Sequence, residues 1–209
     1  MTQDQALDIL KTGANVFLTG EPGAGKTFTI NKYIAYLRTQ DIEPAITAST
    51  GIAATHIGGM TIHSFSGIGI KSFLNKYDLD KIATSEYLNR RISKTKVLII
   101  DEVSMLHANT LAMVDAVCRE IKQSTDPFGG IQVVLVGDFF QLPPIEKSTN
   151  ENPNQTLISE KPKRFAYESD AWRRLNPITC YISEQHRQDD TDFLELLLAI
   201  RRNKVTEMH

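Results

Sequence analysis

The sequence is poor in cysteine and has no long apolar run. Only Cys118 and Cys180 occur among the 209 residues, far apart and without a CxxC pair. This spacing argues against a disulfide framework and a zinc site, and it fits a reducing compartment. No apolar segment approaches the ~20 residues that a membrane helix needs, and the N-terminus is polar and acidic rather than signal-like. We expect an intracellular protein with no membrane contact, cytoplasmic in a bacterium or virus and nuclear in a eukaryote.

An excess of either charge is also missing. The chain has 23 basic and 25 acidic residues and a formal net charge of −2. It therefore has no bulk attraction to phosphate, and any nucleic-acid binding must come from a local surface. With 41% hydrophobic residues, the length suffices for one full-sized domain and a smaller piece.

Short apolar runs alternate with helical patterns along the chain. Apolar residues recur at helical spacing between Ile30 and Leu37 and between Leu111 and Ile121. The alternation predicts an α/β fold, a mostly parallel sheet with helices on both faces. The runs typical of strands buried on both faces are NVFLT (15–19), VLII (97–100) and VVLV (133–136), with EPAITA (43–48) as a weaker candidate.

Other segments depart from this alternation. Residues 65–79 are glycine-rich at the front and are predicted to leave the sheet, and the polar stretch 146–163 is predicted to be an exposed loop. A strand-like run, ITCYI (178–182), then precedes a helical pattern over residues 193–200.

The strongest motif is GEPGAGKT, which fits the P-loop pattern G-x-x-x-x-G-K-[ST] between a predicted strand and a predicted helix. Its glycines let main-chain N–H groups turn toward phosphates, and the helix directs its positive end at them. Lys26 is expected to span the β- and γ-phosphates of ATP, and Thr27 to bind Mg²⁺. The predicted nucleotide contacts are Gly20, Pro22, Gly23, Ala24, Gly25, Lys26, Thr27 and Phe28.

Polar residues that follow two further strands extend this site. The run VLIIDE places Asp101 and Glu102 at the carboxyl end of a buried strand, where parallel sheets bind ligands. Asp101 is expected to hold the magnesium ion, and Glu102 to deprotonate the attacking water. Alone, such a pair is equally typical of a plain polar boundary. Gln141, in FFQLPP, either contacts the γ-phosphate or is a solvated amide in a packing loop.

These motifs together resemble those of superfamily 1 DNA helicases, and most closely the Pif1 branch of the RecD-like group. That resemblance implies a RecA-like P-loop NTPase fold and ATP-dependent 5′-to-3′ unwinding, in DNA repair, recombination or telomere maintenance. The branch signature is matched from Glu102 to about Lys122. The matching segments are GEPGAGKT, TASTGIAA (47–54), GGMTIHSFSGIG (58–69), LIIDEVSML (98–106), VVLVGDFFQLPP (133–144), FAYESDAW (165–172) and ISEQHRQDD (182–190).

The resemblance assigns further nucleotide contacts. Gln3 matches the glutamine that reads the adenine edge, and Gln141 matches the glutamine at the γ-phosphate. Arg187 matches an arginine that also reaches the γ-phosphate, although the residues alone favour a surface ion pair with a neighbouring aspartate. The implied catalytic residues are Lys26, Thr27, Asp101, Glu102, Gln141 and Arg187.

The resemblance also implies a path for single-stranded DNA and action on tailed or forked duplexes. Neutral donors to phosphate would explain why the chain is not basic. His63 by itself is more typical of a satisfied, partly buried histidine. The implied DNA contacts are Thr50, Gly51, Thr61, His63 and Ser64.

The family pattern predicts that the chain contains one complete domain, an inserted subdomain and the start of a second domain. It also predicts that the protein is a monomer. Residues 1–64 and 80–177 would form the ATPase domain, 65–79 an inserted wedge subdomain, and 178–209 the start of a second RecA-like domain. Because that second domain would complete the motor, we expect weak hydrolysis and no strand separation by this chain alone. A regulatory nucleotide-binding module that does not unwind DNA is the alternative. A small-molecule kinase would not need the MTIHSF and FFQLPP segments.

Overall fold

The computed structural model of the protein describes residues 1–145 and 163–184. Its strands form one sheet in the order β3-β2-β4-β5-β1-β6, and each neighbouring pair is parallel. Their carboxyl ends therefore lie along one edge. The strands are β1 (Val16–Gly20), β2 (Ala45–Ala48), β3 (Met60–Thr61), β4 (Val97–Asp101), β5 (Gln132–Val136) and β6 (Ile178–Ile182).

Helices connect the strands. Within the described ranges, none is long and apolar enough to cross a bilayer. The α-helices are α1 (Gln3–Lys11), α2 (Lys26–Thr39), α3 (Gly51–His56), α4 (Ile62–Ser66), α5 (Lys76–Ala83), α6 (Glu86–Lys94), α7 (Ala108–Lys122) and α8 (Asp170–Leu175). Short 3-10 turns occur at Val103–Met105, Pro127–Gly130 and Ala166–Glu168.

The sheet is covered on both faces. Successive strand residues point to opposite sides, so Val97 and Ile99 of β4 pack in one cluster with α1 and α2. Leu98 and Ile100 pack in a second cluster with α4, α6 and α7. This two-sided burial explains the continuous apolar runs of the central strands and confirms the predicted α/β fold. The predicted strands at 15–19, 43–48, 97–100 and 133–136 are present as β1, β2, β4 and β5.

The strand β6 corrects a predicted domain boundary. All five of its residues pair with β1, from Val16 opposite Ile178 to Gly20 opposite Ile182. A strand that is hydrogen-bonded to the centre of the ATPase sheet belongs to that sheet. The prediction that residue 178 begins a second domain is therefore wrong for this strand.

The predicted insertion also starts later than residue 65. Phe65 lies in α4, and Phe65 and Ile68 are fully buried in the cluster that contains α6 and α7. The exposed stretch begins at Gly69 and includes Ile70, which is 92% exposed, and Phe73. The helix α5 then continues beyond the predicted end at residue 79. The predicted loop at 146–163, apart from its last residue, and the predicted helix over 193–200 lie outside the described residues.

Substitution of Gly20 tests the contact between β1 and β6. A Cβ atom at Gly20 would lie 2.5 Å from the carbonyl oxygen of Ile182. We expect Gly20→Ala to lower the free energy of unfolding by about 1–3 kcal/mol in urea denaturation, because backbone must move to relieve the overlap. Gly51→Ala is the control, since a Cβ there meets no atom within 4 Å. Equal stability of the two variants would contradict this packing.

Candidate functional site

The P-loop joins β1 to α2 by a tight turn that needs glycine. Gly23 and Gly25 have φ angles of +81° and +85°, in the left-handed region that glycine enters at little cost. Ala24 between them is buried, and its N–H donates to the carbonyl oxygen of Glu21 at 3.1 Å. The turn leaves the positive end of α2, a 14-residue helix, directed at the loop.

The other residues of the loop and the first residues of α2 lie around this turn. Lys26 Nζ donates to the carbonyl oxygens of Gly20 at 3.0 Å and Glu21 at 3.3 Å, so the ammonium group lies over the loop. Thr27 is exposed in the first turn of α2, and Pro22 is half-buried. Phe28 is 54% exposed. These residues can present main-chain N–H groups, an ammonium and a hydroxyl to an anion.

Asp101 and Glu102 lie at the carboxyl end of β4, as predicted. The N–H of Glu102 donates to Asp101 Oδ1 at 2.9 Å. Glu102 has a φ of +52°, which is unusual for a residue with a side chain and costs energy. The chain then enters the 3-10 turn Val103–Met105. Val103 packs closely on Gly137, since a Cβ atom at position 137 would lie 3.0 Å from Val103 N. A strained backbone therefore sets the direction of the Glu102 side chain.

The two carboxyl groups are electrostatically coupled. Burial raises the pKa of Asp101, whereas the hydrogen bond from Glu102 N–H and the charge of Lys26 lower it. Burial also raises the pKa of Glu102, and the negative charges of Asp101 and Asp138 raise it further, against Lys26. Three acidic side chains and one ammonium thus occupy the same partly dehydrated region. Such a region raises the pKa of a carboxyl group toward the range in which it can take up a proton.

Asp138 is a site residue that the sequence analysis missed. It follows β5 and is 1% exposed. Its Oδ1 accepts the N–H of Phe140 at 3.1 Å, and its Oδ2 accepts Gln141 Nε2 at 3.4 Å. The Gln141 N–H also donates to the Asp138 carbonyl oxygen at 2.9 Å. Asp138 therefore fixes the loop that carries Gln141, and its sequence signal was the aspartate that ends VVLVGD.

Gln3 lies against the P-loop although it is distant in sequence. Its side chain is 8% exposed, and Nε2 donates to the carbonyl oxygen of Ala24 at 3.1 Å. The helix α1 that carries Gln3 begins with a capping box formed by Thr2 and Gln5. Arg187, the remaining predicted nucleotide contact, lies outside the described residues.

The predicted DNA contacts follow β2 and β3. Thr50 caps α3 and accepts the N–H of Ala53 at 3.2 Å, and Gly51 is the first residue of that helix. Thr61 caps α4, accepts the N–H of Ser64 at 3.1 Å and donates to its Oγ at 3.0 Å. Both threonine hydroxyls thus organise helix N-termini, a role that the sequence analysis did not assign.

His63 and Ser64 open onto a groove. The groove has a volume of about 740 Å³ and is also lined by Lys71, His107 and Lys163, among others. It lies between the exposed stretch after Ile68 and the N-terminus of α7. A cavity of this size with a mixed polar and apolar lining can accept part of a nucleic-acid strand.

The two groups of residues share one edge of the sheet. Apart from Gln3 on α1, the described nucleotide candidates lie at or after the ends of β1, β4 and β5, whereas the DNA candidates lie at or after the ends of β2 and β3. The groups meet between β2 and β4, where the N–H of Ser49 donates to the carbonyl oxygen of Asp101 at 3.1 Å. The site therefore consists of a phosphate-binding loop, a carboxylate cluster and an adjoining row of hydroxyl and imidazole groups.

Comparison with known proteins gives consistent matches over nearly the whole chain. The ATP-dependent DNA helicase Pif1 of Psychrobacter sp. (strain PRwf-1) is 53% identical over 188 residues, which are 90% of this chain and 27% of that protein. The crystal structure of Pif1 helicase from Candida albicans has a TM-score of 0.84 at 34% identity and covers 99% of this chain. Bacteroides Pif1 in complex with ADP-AlF3 and ssDNA has a TM-score of 0.80 at 31% identity and covers 98%.

This chain spans only part of these proteins, 44% of the Candida structure and 46% of the Bacteroides structure. The PIF1-like helicase family nevertheless matches residues 3–209. Together with the P-loop and the carboxylates at one edge of a parallel sheet, that match establishes that the chain belongs to the PIF1-like helicase family.

Proposed function

We propose that this chain binds ATP and single-stranded DNA as a motor domain of an ATP-dependent DNA helicase. The observation that carries the proposal is the common edge of the sheet, where Lys26, Asp101 and Glu102 lie beside the row that contains Thr50 and His63. A motor must couple a nucleotide site to a strand site, and adjacency on one rigid sheet suits that coupling. It would act inside the cell, in the cytoplasm if the protein is bacterial or viral and in the nucleus if it is eukaryotic.

ATP would occupy the P-loop. The main-chain N–H groups between Gly20 and Lys26 and the Lys26 ammonium would hold the phosphates, as the positive end of α2 favours. The Gln3 carboxamide, packed on the loop, would read the base. The Bacteroides relative that was crystallised with ADP-AlF3 supports this assignment.

Magnesium would join the phosphates to the chain. Among the described residues, no group of three His, Cys, Asp or Glu side chains could hold a metal alone. Magnesium commonly takes only one or two protein oxygens together with phosphate and water, and Thr27 and Asp101 offer a hydroxyl and a carboxylate. The residues therefore fit this ion, which would neutralise charge on the phosphates when bound.

Glu102 would remove the proton from the attacking water. A carboxylate whose pKa is raised by burial and by neighbouring carboxylates accepts a proton more readily than an exposed one. The left-handed backbone at Glu102 sets the direction in which its side chain leaves the main chain. Gln141, held by Asp138, and Arg187 would contact the γ-phosphate and respond to its loss.

Single-stranded DNA would follow the carboxyl ends of β2 and β3. Thr50, Gly51, Thr61, His63 and Ser64 would contact it through main-chain N–H groups, hydroxyls and imidazole. Translocation would run 5′ to 3′, and the exposed stretch from Gly69 to Asn75 would meet a tailed or forked duplex at its junction. Stimulation of ATP turnover by single-stranded DNA tests this proposal against a DNA-independent ATPase, whose turnover would not change.

Lys26→Ala should abolish ATP binding, since the loop would lose the ammonium that balances the phosphate charge. We expect at least a hundredfold rise in Kd by isothermal titration, about 3 kcal/mol. Lys94→Ala removes an exposed lysine on α6 and should leave the Kd unchanged. ATP binding by Lys26→Ala with unaltered affinity would disprove the P-loop assignment.

Glu102→Gln should retain ATP binding within about twofold and lose turnover by about a hundredfold or more, because an amide cannot accept the proton. Phosphate release in the presence of single-stranded DNA measures turnover, and titration of ATP measures binding. The same variant is its own control, since intact binding demonstrates a folded site. Normal turnover would remove Glu102 from the role of general base.

His63→Ala should weaken binding of an oligothymidine by about tenfold, since contacts of an aromatic ring with one base are worth ~1–3 kcal/mol. Fluorescence anisotropy of a labelled oligonucleotide measures this change. His56→Ala is the matched control. His56 is exposed and is the last residue of α3, at the end opposite to Thr50 and Gly51. If the two variants bound the oligothymidine with equal affinity, the path of single-stranded DNA would not include His63.

A further inference from the structure

The end of β6 is fastened to the beginning of α1. The N–H of Ser183 donates to the carbonyl oxygen of Met1 at 3.2 Å. The N–H of Gln3 donates to Glu184 Oε2 at 2.9 Å, in a partly buried position. A carboxylate in this place is doubly favourable, because the first turn of a helix has unpaired N–H groups and a positive dipole end. Glu184 thus fixes the first turn of α1 from outside the helix.

Gln3 is also fixed from the opposite side. Its Nε2 donates to the Ala24 carbonyl oxygen at 3.1 Å. A Cβ at Gly25 would overlap Gln3 Nε2 and lie 3.0 Å from Gln3 Cδ, so the carboxamide packs directly on the P-loop glycine. Any displacement of the first turn of α1 therefore moves the carboxamide relative to a nucleotide in the loop.

We propose that Glu184 is a specificity-determining positioning residue, which anchors Gln3 so that its carboxamide distinguishes adenine from guanine nucleotides. The inference rests on the proposed ATP site and adds to it a residue that neither the P-loop motif nor the Asp-Glu pair contains. In this proposal Glu184 acts on the nucleotide through its hydrogen bond to the first turn of α1.

The chemistry of the two bases gives the direction of the effect. Adenine presents the acceptor N7 beside the N6 amino donor, whereas guanine presents the acceptors N7 and O6. A carboxamide has two N–H donors and a carbonyl acceptor. With one N–H bound to Ala24, the group can still make two complementary hydrogen bonds to adenine and only one to guanine. Displacement of Gln3 therefore costs more affinity for ATP than for GTP.

The test compares the Kd of ATP and of GTP by isothermal titration of the 209-residue chain and its variants. Glu184→Ala should raise the Kd of ATP about fivefold and that of GTP less than twofold, as expected for the loss of one hydrogen bond. Glu184→Gln keeps an acceptor oxygen and should restore most of the preference. In a background of Gln3→Ala, Glu184→Ala should have no further effect on ATP, since both act through one carboxamide.

Glu86→Ala is the matched control, because Glu86 is an exposed glutamate in the first turn of α6. It should change neither Kd. Equal losses for ATP and GTP in Glu184→Ala, or additive effects with Gln3→Ala, would reduce Glu184 to a structural contact and overturn the inference. If Glu184→Ala does not fold, Glu184→Asp carries the same test, since its shorter side chain keeps the charge but not the reach.

The outcomes for the wild-type chain separate the two proposals. If it binds neither nucleotide, the proposed function fails and the inference fails with it. If it binds ATP normally and the ratio of the two Kd values is the same in Glu184→Ala, only the inference fails.

Discussion

The parallel direction of the strands is the constraint on which the rest of the structure depends. Because each described strand runs the same way, the polar residues that follow β1, β2, β4 and β5 all emerge at one edge. Helices on both faces bury the central strands β1, β4 and β5 almost completely, which leaves their carboxyl ends as a place where charged side chains can be partly hydrated. The P-loop, the carboxylates and the DNA candidates are neighbours for this reason, although they are far apart in sequence.

The carboxylate cluster has a structural cost. Glu102 adopts a left-handed backbone, and burial raises the pKa of both Asp101 and Glu102, so the folded state has strain and dehydrated charge together. The buried apolar residues of β4 and β5 on both faces of the sheet can offset that cost. In return, hydrogen bonds orient the carboxylates of Asp101 and Asp138 before a ligand arrives, which reduces the reorganisation that a reaction would need.

Patterns within short stretches of sequence predict those elements of the fold that depend on neighbouring residues alone. The central strands and the P-loop follow from apolar runs and motif spacing, whereas α1 has only a short apolar face, and its capping box at Thr2 was overlooked. The two-residue strand β3 is too short for any periodicity. The glycines around Ile68 resembled a loop although Phe65 and Ile68 are core residues. Pairing partners are not encoded in periodicity, so the sequence alone predicts neither the pairing of β6 with β1 nor the position of Asp138 beside Gln141.

The contact between β2 and β4 joins the two halves of the edge. The N–H of Ser49 donates to the carbonyl oxygen of Asp101, and the next residue, Thr50, caps α3. A strand of DNA that displaced α3 would have to move Thr50 and so strain the hydrogen bond to the main chain of Asp101. Conversely, a change in charge at Asp101 and Glu102 would alter the electrostatic potential at the N-terminus of α3. Ser49, which is hydrogen-bonded to Asp101, directly precedes Thr50, the residue that caps this helix. Because the hydrogen bond between Ser49 and Asp101 joins the two groups of candidate residues directly, we expect a shift of the backbone at one candidate site to be transmitted through the sheet to the other.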